Sequence, residues 1–519
     1  MVSYPLNDAT EHWSTGKHAV QSDGGMVAAQ HQLAAEAGAS LLSKGGNAAD
    51  AAVACAFALG VVEPWMSGLG GSGYAVIWDA RSSQATVVDF QGVLPAAIDR
   101  ADYPLDPRVP MSIMGFPGVV NEHNVRGYGA VSVPGALKGL SHVQSRFGKS
   151  GLDTVLEPAI ALAERGLPCN WFTTLQVALA AEGLARDPVA QATYMPHGRP
   201  PLPEQFLELG KLGQTLKAIA EQGPDTMYGG ALGESMCVDF ARGGSRITIE
   251  DLANYQIIES NALTGSHRGV ELHTAGPTSG GPRLIEAFEY VSTHLDQSRG
   301  IGAHSYRVYA DALNSAWRSH KERIGRETEV GGCTSHLSVV DGEGNMVALT
   351  YTLLDRFGAQ VVLPGSGILM NNAVSYFDPR PGFPTSMASA KRINASNMCP
   401  TIATRSGESL FAVGASGANF IMPCTMQVAG FMLDFDLTLE QSINQPRVDA
   451  SDRGSIRVDP RVGEAVLKEL AQDFELEVAQ AMVYPKLYSC PTGVSRDPAT
   501  GTTWGINDPT QPVGGAAAG

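Results

Sequence analysis

The stretch that decides how this chain is read is Gly331-Gly332-Cys333-Thr334-Ser335-His336-Leu337-Ser338-Val339-Val340-Asp341. Two glycines give a pliable run-in to a cysteine and a threonine. The apolar/polar alternation from Leu337 to Val340 predicts a strand. Gly342-Glu343-Gly344-Asn345 supplies a turn, and Met346 to Leu353, rich in Val, Thr and Tyr, predicts the returning strand of a hairpin. Taken alone, Thr334 is an ordinary β-branched residue opening a strand.

The whole run TSHLSVVDGEGNMVALTYTL, 334–353, sets this threonine apart. It resembles the segment that opens the small subunit of γ-glutamyltranspeptidases. The resemblance implies a precursor that cuts itself between Cys333 and Thr334 and then uses the new N-terminal threonine as nucleophile. The chemistry suits the residue. A threonine hydroxyl is a poor nucleophile until a base takes its proton. A free α-amine, with an unperturbed pKa of about 7.7–8.0, is such a base near neutral pH. Cutting the chain therefore puts nucleophile and base on one residue, in place of a separate Ser/His pair.

Upstream, GGNAADAAVA and LGVVEPWMSGLGGSGY follow the same family. Met26–Leu42 has helical spacing, Gly45-Gly46 breaks it, and a second, all-round apolar helix begins at Asn47 or Asp50. Within this region Gly68-Leu69-Gly70-Gly71-Ser72-Gly73 fits G-x-G-x-x-G, but a dinucleotide fingerprint needs a strand before it and a helix after it. Here Pro64–Ser67 precedes and the strand-like Tyr74–Trp78 follows, so a backbone turn near the active site is the better reading. Thr86–Phe90 predicts another strand, residues 150–260 are mostly helical, and helices are expected near 284–294, 304–320 and 420–433. The linker from His320 to Thr334 is shorter than in familiar transpeptidases, and the Ala/Gly tail at 514–519 is expected to fray.

The resemblance also assigns roles. Thr352 falls where the family has a second threonine bonded to the nucleophile. Gly417 and Ala418, in Gly414-Ala415-Ser416-Gly417-Ala418-Asn419, fall where two backbone N–H groups form the oxyanion hole. Ser396 and Asn397 match a serine pair that helps bind the substrate carboxylate. Gln91 stands where the family carries an arginine for that carboxylate, and a neutral amide cannot make the bidentate, charge-assisted grip. The family's ligands for the substrate ammonium are replaced by Leu354, Ala373 and Tyr376, of which Tyr376 is kept as a candidate substrate contact. Arg356 is a new charge near this site; it reads either as a carboxylate anchor or as a solvated loop arginine.

Global composition sets bounds. The 519 residues can bury a large core, and a net charge of −16 with no basic patch argues against a nucleic-acid partner. No apolar run reaches membrane-span length, residues 1–25 hold none of signal-peptide length, and the seven dispersed cysteines show no metal-ligand spacing. Reduced thiols in the cytoplasm, with no metal and no cofactor, are the expectation.

The fold implied by the resemblance is α+β, the four-layer α/β/β/α sandwich of N-terminal-nucleophile hydrolases. A large subunit, 1–333, and a small one, 334–519, would form one compact heterodimer. The implied activity is hydrolysis of a small amide without a γ-glutamyl head. The oxamate amidohydrolase branch, serving uric acid breakdown, gives the nearest overall resemblance. The alternatives are a γ-glutamyl hydrolase or transpeptidase, another acylase, or a catalytically silent binding protein.

Overall fold

The computed structural model describes residues 15–324, 333–450 and 454–519. Gly331-Gly332 and most of the linker before them lie outside the described residues. Cys333 and Thr334 belong to one strand, Cys333–Val340, so the bond the resemblance marks for cutting opens that strand.

That strand turns through Asp341–Asn345 and returns as Met346–Leu354. The turn is held by one carboxylate: Asp341 Oδ1 accepts from the amides of Glu343 and Asn345, both at 3.0 Å. Its Oδ2 accepts from Ala48 N at 3.0 Å, at the start of the helix Ala48–Val62. The hairpin and the first buried helix are thereby tied at one residue. Asn47 and Asp50 complete a capping box on that helix.

The hairpin is the centre of a seven-stranded antiparallel sheet. Its order is Gly515–Ala518, Met26–Ala29, Cys333–Val340, Met346–Leu354, Ser72–Asp79, Gln84–Asp89 and Ile258–Asn261. A second seven-stranded sheet runs Val20–Ser22, Thr503–Asn507, Cys490–Arg496, Glu408–Ser416, Thr401–Arg405, Val270–Thr274 and Leu263–His267. Period-two alternation sorts their side chains into layers. Val76, Trp78, Met346 and Ala348 of the first sheet meet Ile402, Ala412 and Val494 of the second. The opposite face of the first sheet, through Val27, Ala75, Leu337, Val339 and Leu349, packs on the helices Gln32–Ser43 and Ala48–Val62. The outer face of the second, through Leu272, Ala403, Phe411 and Val413, packs on Gly281–His294, Ala303–Ile324 and Ile421–Phe435. The result is the expected α/β/β/α sandwich.

Two expectations are corrected. The helix read over Met26–Leu42 is a strand, Met26–Ala29, followed by a helix, Gln32–Ser43. All four strand residues are fully buried between Cys333–Val340 and Gly515–Ala518, so their amides and carbonyls are taken by neighbours on both sides. Tertiary pairing outweighs the helical propensity of alanine there. The tail does not fray either: Gly515–Ala518 is the edge strand of that sheet.

Candidate active site

The alternation that turns His336 and Ser338 toward the second sheet includes Thr334. His336 is fully buried, sharing its ring nitrogens between Thr350 Oγ1 at 2.7 Å and Ser338 Oγ at 3.0 Å. Burial pushes its pKa down to about 3, so it is a neutral spacer between the sheets. Thr334 itself is 4% exposed and lies at a bulge: Cys333 pairs with Leu354 but Ser335 with Tyr351. Two residues of the return strand thus face Thr334 alone, an irregularity common beside active sites.

Thr352 occupies that bulge. Its Oγ1 accepts from Leu354 N at 2.7 Å, which leaves its own hydrogen to be donated to the carbonyl oxygen of Cys333. The bond that would be cut therefore already carries a donor on its oxygen. Leu354 sits at φ 85°, a conformation that costs a branched residue, and this turns its amide onto Thr352.

On the facing sheet, strand Glu408–Ser416 ends in Gly417 and Ala418 at φ 129° and 48°, just before helix Ile421–Phe435. A Cβ on Gly417 would come within 2.7 Å of Ser489 Oγ, so both backbone angle and space demand glycine there. The Gly68–Gly73 stretch has a different reason for its glycines. A Cβ on Gly71 or Gly73 would lie 2.5 and 2.3 Å from the carbonyl oxygens of Thr352 and Thr350. These glycines let the backbone close on the return strand, and Ser72–Asp79 continues as a strand.

Cys333, Thr334, Ser416 and Gly417 open into a cavity of about 530 Å³. Its charged lining is Glu122, Arg126, Asp355, Arg356 and Lys486. Glu122 is engaged by Arg126 at 2.9 Å and by Arg186 at 3.3 Å. Asp355 accepts from Asn372 Nδ2 at 2.8 Å, and burial raises its pKa to about 6. Lys486 Nζ donates to Thr510 O at 2.6 Å, and to Thr510 Oγ1 and Cys490 Sγ at 3.0 Å. Arg356 is different. Its Nε donates to Gln176 Oε1 at 2.8 Å, and among the described residues no carboxylate lies within ion-pairing distance of it. Its charge is felt by Cys333, whose thiol burial pushes up to about 11 against the opposing pull of Arg356.

The remaining candidates lie elsewhere. Ser396, Asn397, Gln91 and Tyr376 do not line this cavity. Gln91 is fully buried, with Ser72 Oγ at 3.5 Å and Met398 Sδ at 3.7 Å. Arg283 donates to Ser396 O at 3.0 Å and to Asn397 Oδ1 at 2.7 Å. Leu354, Ala373 and Tyr376 share an apolar cluster with Leu94, Phe116 and Phe377. Among the described residues no group of three or more His, Cys, Asp or Glu is placed to hold a metal.

The structure adds residues the sequence reading passed over. Lys486 and Cys490 reach the cavity from far down the chain, with no motif around them. Glu63, fully buried beneath the nucleophile strand, accepts from Ser335 Oγ at 2.8 Å and Gln511 Nε2 at 2.9 Å. Burial raises its pKa to about 8. A lone acid in the apolar run LGVVEPW was its only signal.

The family described as gamma-glutamyltranspeptidase matches residues 34–326 and 308–518. The chain belongs to that family. It is 34% identical over 484 residues to the Acylase ACY 1 proenzyme of Pseudomonas sp. (strain SE83), covering 86% of each chain. It is 28% identical over 502 residues to the glutathione hydrolase proenzyme of Bacillus subtilis (strain 168), covering 86% of this chain and 84% of the relative. The crystal structure of cephalosporin acylase from Bacillus halodurans shares the fold, at a TM-score of 0.85 and 24% identity over 99% of both chains. Family membership makes the chain an enzyme of the N-terminal-nucleophile hydrolase type. Among the described residues no helix is long and apolar enough to cross a membrane.

Proposed function

We propose that this γ-glutamyltranspeptidase family member is a self-processing acylase-type amidohydrolase. Its substrate is an amide whose acyl half ends in a carboxylate and carries no α-amino group. The observation that carries this reading is Arg356, a cavity cation beside Cys333 that no carboxylate among the described residues pairs with. An ammonium has no comparable host: Glu122 is already paired, Asp355 is held by Asn372 and lies in the positive field of Arg126 and Arg356, and the family's ammonium positions are in an apolar cluster. An unpartnered buried charge costs several kcal/mol, so the pocket discriminates against an amino-acid head.

Maturation begins with attack of Thr334 Oγ on the carbonyl carbon of Cys333. Thr352 donates to the developing oxyanion. The C–N bond breaks, the Thr334 nitrogen takes the proton, and an ester forms on Oγ. Water hydrolyses that ester, leaving a Cys333 carboxylate and a free Thr334 amine. The large half is then 1–333 and the small half 334–519, held together by the sheet they share. In turnover the amine takes the Oγ proton, Oγ attacks the substrate amide, and the Gly417 and Ala418 amides serve the oxyanion. The leaving amine is protonated and departs, and water releases the acid.

The 34% identical relative named as an acylase supports this reading over γ-glutamyl transfer. Oxamate belongs to the same chemical class, carboxylate without amine. It has only a handful of non-hydrogen atoms, though, and a cavity of about 530 Å³ suits a longer half-amide such as a glutaryl amide. The test is a side-by-side assay of glutaryl-p-nitroanilide, γ-glutamyl-p-nitroanilide and oxamate on the mature enzyme. The glutaryl compound is expected to be turned over with the highest kcat/KM; preference for the γ-glutamyl compound overturns the reading.

A further inference from the structure

The cavity over Thr334 has an apolar extension that the chemistry above leaves unused. Met111, Leu179 and Tyr484 line its outer part, and each is an exposed large hydrophobic side chain, at 56%, 37% and 43% of full exposure. Tyr484 also lines a second cavity of about 200 Å³, formed with Trp171, Leu175, Met482 and Val483. The described residues lining that second cavity include no Asp, Glu, Lys or Arg. The two hollows thus share one aromatic wall, with Thr334 in the first and an uncharged shelf in the second. Apolar surface gathered in one place marks a binding site, whereas scattered single residues do not.

Which half of a substrate lies on the shelf follows from the self-cleavage chemistry. The ester formed during maturation and the acyl-enzyme formed in turnover sit on the same oxygen. In the first, the acyl group is the Cys333 end of the chain, next to Arg356. A substrate acyl group bonded to that oxygen starts from the same place. This leaves the side lined by Tyr484 to the amine half.

We propose that the shelf is an amine-side subsite and that the amine half of the natural amide is bulky, apolar or aromatic, and uncharged. This deepens the acylase reading and rests on it for the placement of the acyl group. The shelf also opposes a peptide-like leaving group, whose free carboxylate would meet no cation among its described lining residues.

The test uses N-phenethyl and N-ethyl glutaramide, which share the acyl group and have leaving amines of similar basicity. On mature enzyme the phenethyl amide is expected to have a kcat/KM at least about tenfold higher, carried by KM. Met482→Ser and Leu175→Ser should each narrow that ratio. A ratio near one in the wild type, with both amides turned over, overturns the shelf and leaves the acylase reading standing. If neither amide is hydrolysed, the acylase reading fails, and the shelf is judged by calorimetric binding of both compounds to the full-length Thr334→Ala chain. Tighter binding of the phenethyl compound, weakened by Met482→Ser, retains the subsite; equal binding of the two removes it.

Discussion

Inside the hairpin Cys333–Leu354, buried polar side chains are spent on one another. His336 bridges Thr350 and Ser338, Ser335 lies between Ser67 and Glu63, and Thr352 links Leu354 N to the Cys333 carbonyl. Across the cavity the charged groups of Asp355, Arg356 and Lys486 come from loops and are only partly buried. Among the described residues Arg356 makes one side-chain hydrogen bond. The contrast separates two jobs. Bond-making geometry is fixed by groups whose hydrogen bonds leave no freedom, while substrate choice is left to groups that keep capacity in reserve for a ligand.

The largest effect should come from the hairpin. Thr334→Ala removes the attacking oxygen, so denaturing mass analysis should find one intact chain, and amide turnover should fall by more than about a thousandfold. Two fragments from this variant would place the nucleophile elsewhere. Thr352→Val deletes the donor on the Cys333 carbonyl and leaves the Leu354 amide without its acceptor. Self-cleavage should slow by about 10²–10³-fold, the scale of losing one oxyanion donor, and Thr352→Ser should restore most of the rate. A time course of fragment appearance reads both; an unchanged rate in the valine variant would reduce Thr352 to a strand residue.

The same contrast decides what could be read from the sequence. The hairpin and its turn were legible because strand alternation and a Gly-rich turn are local signals, whereas the two threonines stood out only through the family resemblance. Met26–Ala29 was misread because its four small and apolar residues suit a helix equally well, and only partners some 300 and 490 positions away make it a strand. The fraying expected at 514–519 failed for the same reason. On the pocket side, Arg356 could be flagged by its place two residues after the return strand, but that no carboxylate among the described residues pairs with it is a three-dimensional fact. Lys486 and Tyr484 have no local pattern at all, since loops carry no periodicity to betray which side chain faces a cavity.

The pocket wall should respond more mildly than the hairpin. Arg356→Met keeps the length of the side chain and removes its charge. For a glutaryl amide, KM should rise so that kcat/KM falls roughly 10–100-fold, the worth of a charge-assisted hydrogen bond, with kcat held within a few-fold. Self-cleavage should proceed at the wild-type rate, because that reaction has no substrate carboxylate. Equal losses in kcat and in self-cleavage would instead move Arg356 into the bond-making geometry and erase the distinction drawn here.

The smallest effect concerns stability, and it probes the floor beneath the hairpin. Glu63 has its pKa raised by burial from 4.5 to about 8, so in the folded chain it holds a proton that the unfolded chain gives up at neutral pH. Between those two values the unfolded state binds fewer protons than the folded one. Stability contributed by this group therefore falls as pH rises through the window and levels off above about 8. His336, lowered from 6.5 to about 3, acts with the opposite sign, its cost growing as pH falls below 6.5. From pH 6.5 to 8 the slope from Glu63 stands clear of that of His336. Glu63→Gln keeps an uncharged acceptor for Ser335 and has no proton to lose, so its melting temperature should change less across that interval than the wild type's, by a few degrees. Identical slopes would mean that Glu63 is already ionised in the fold, with Lys486 supplying the counter-charge, and that the hairpin rests on an ion pair instead of a neutral carboxyl.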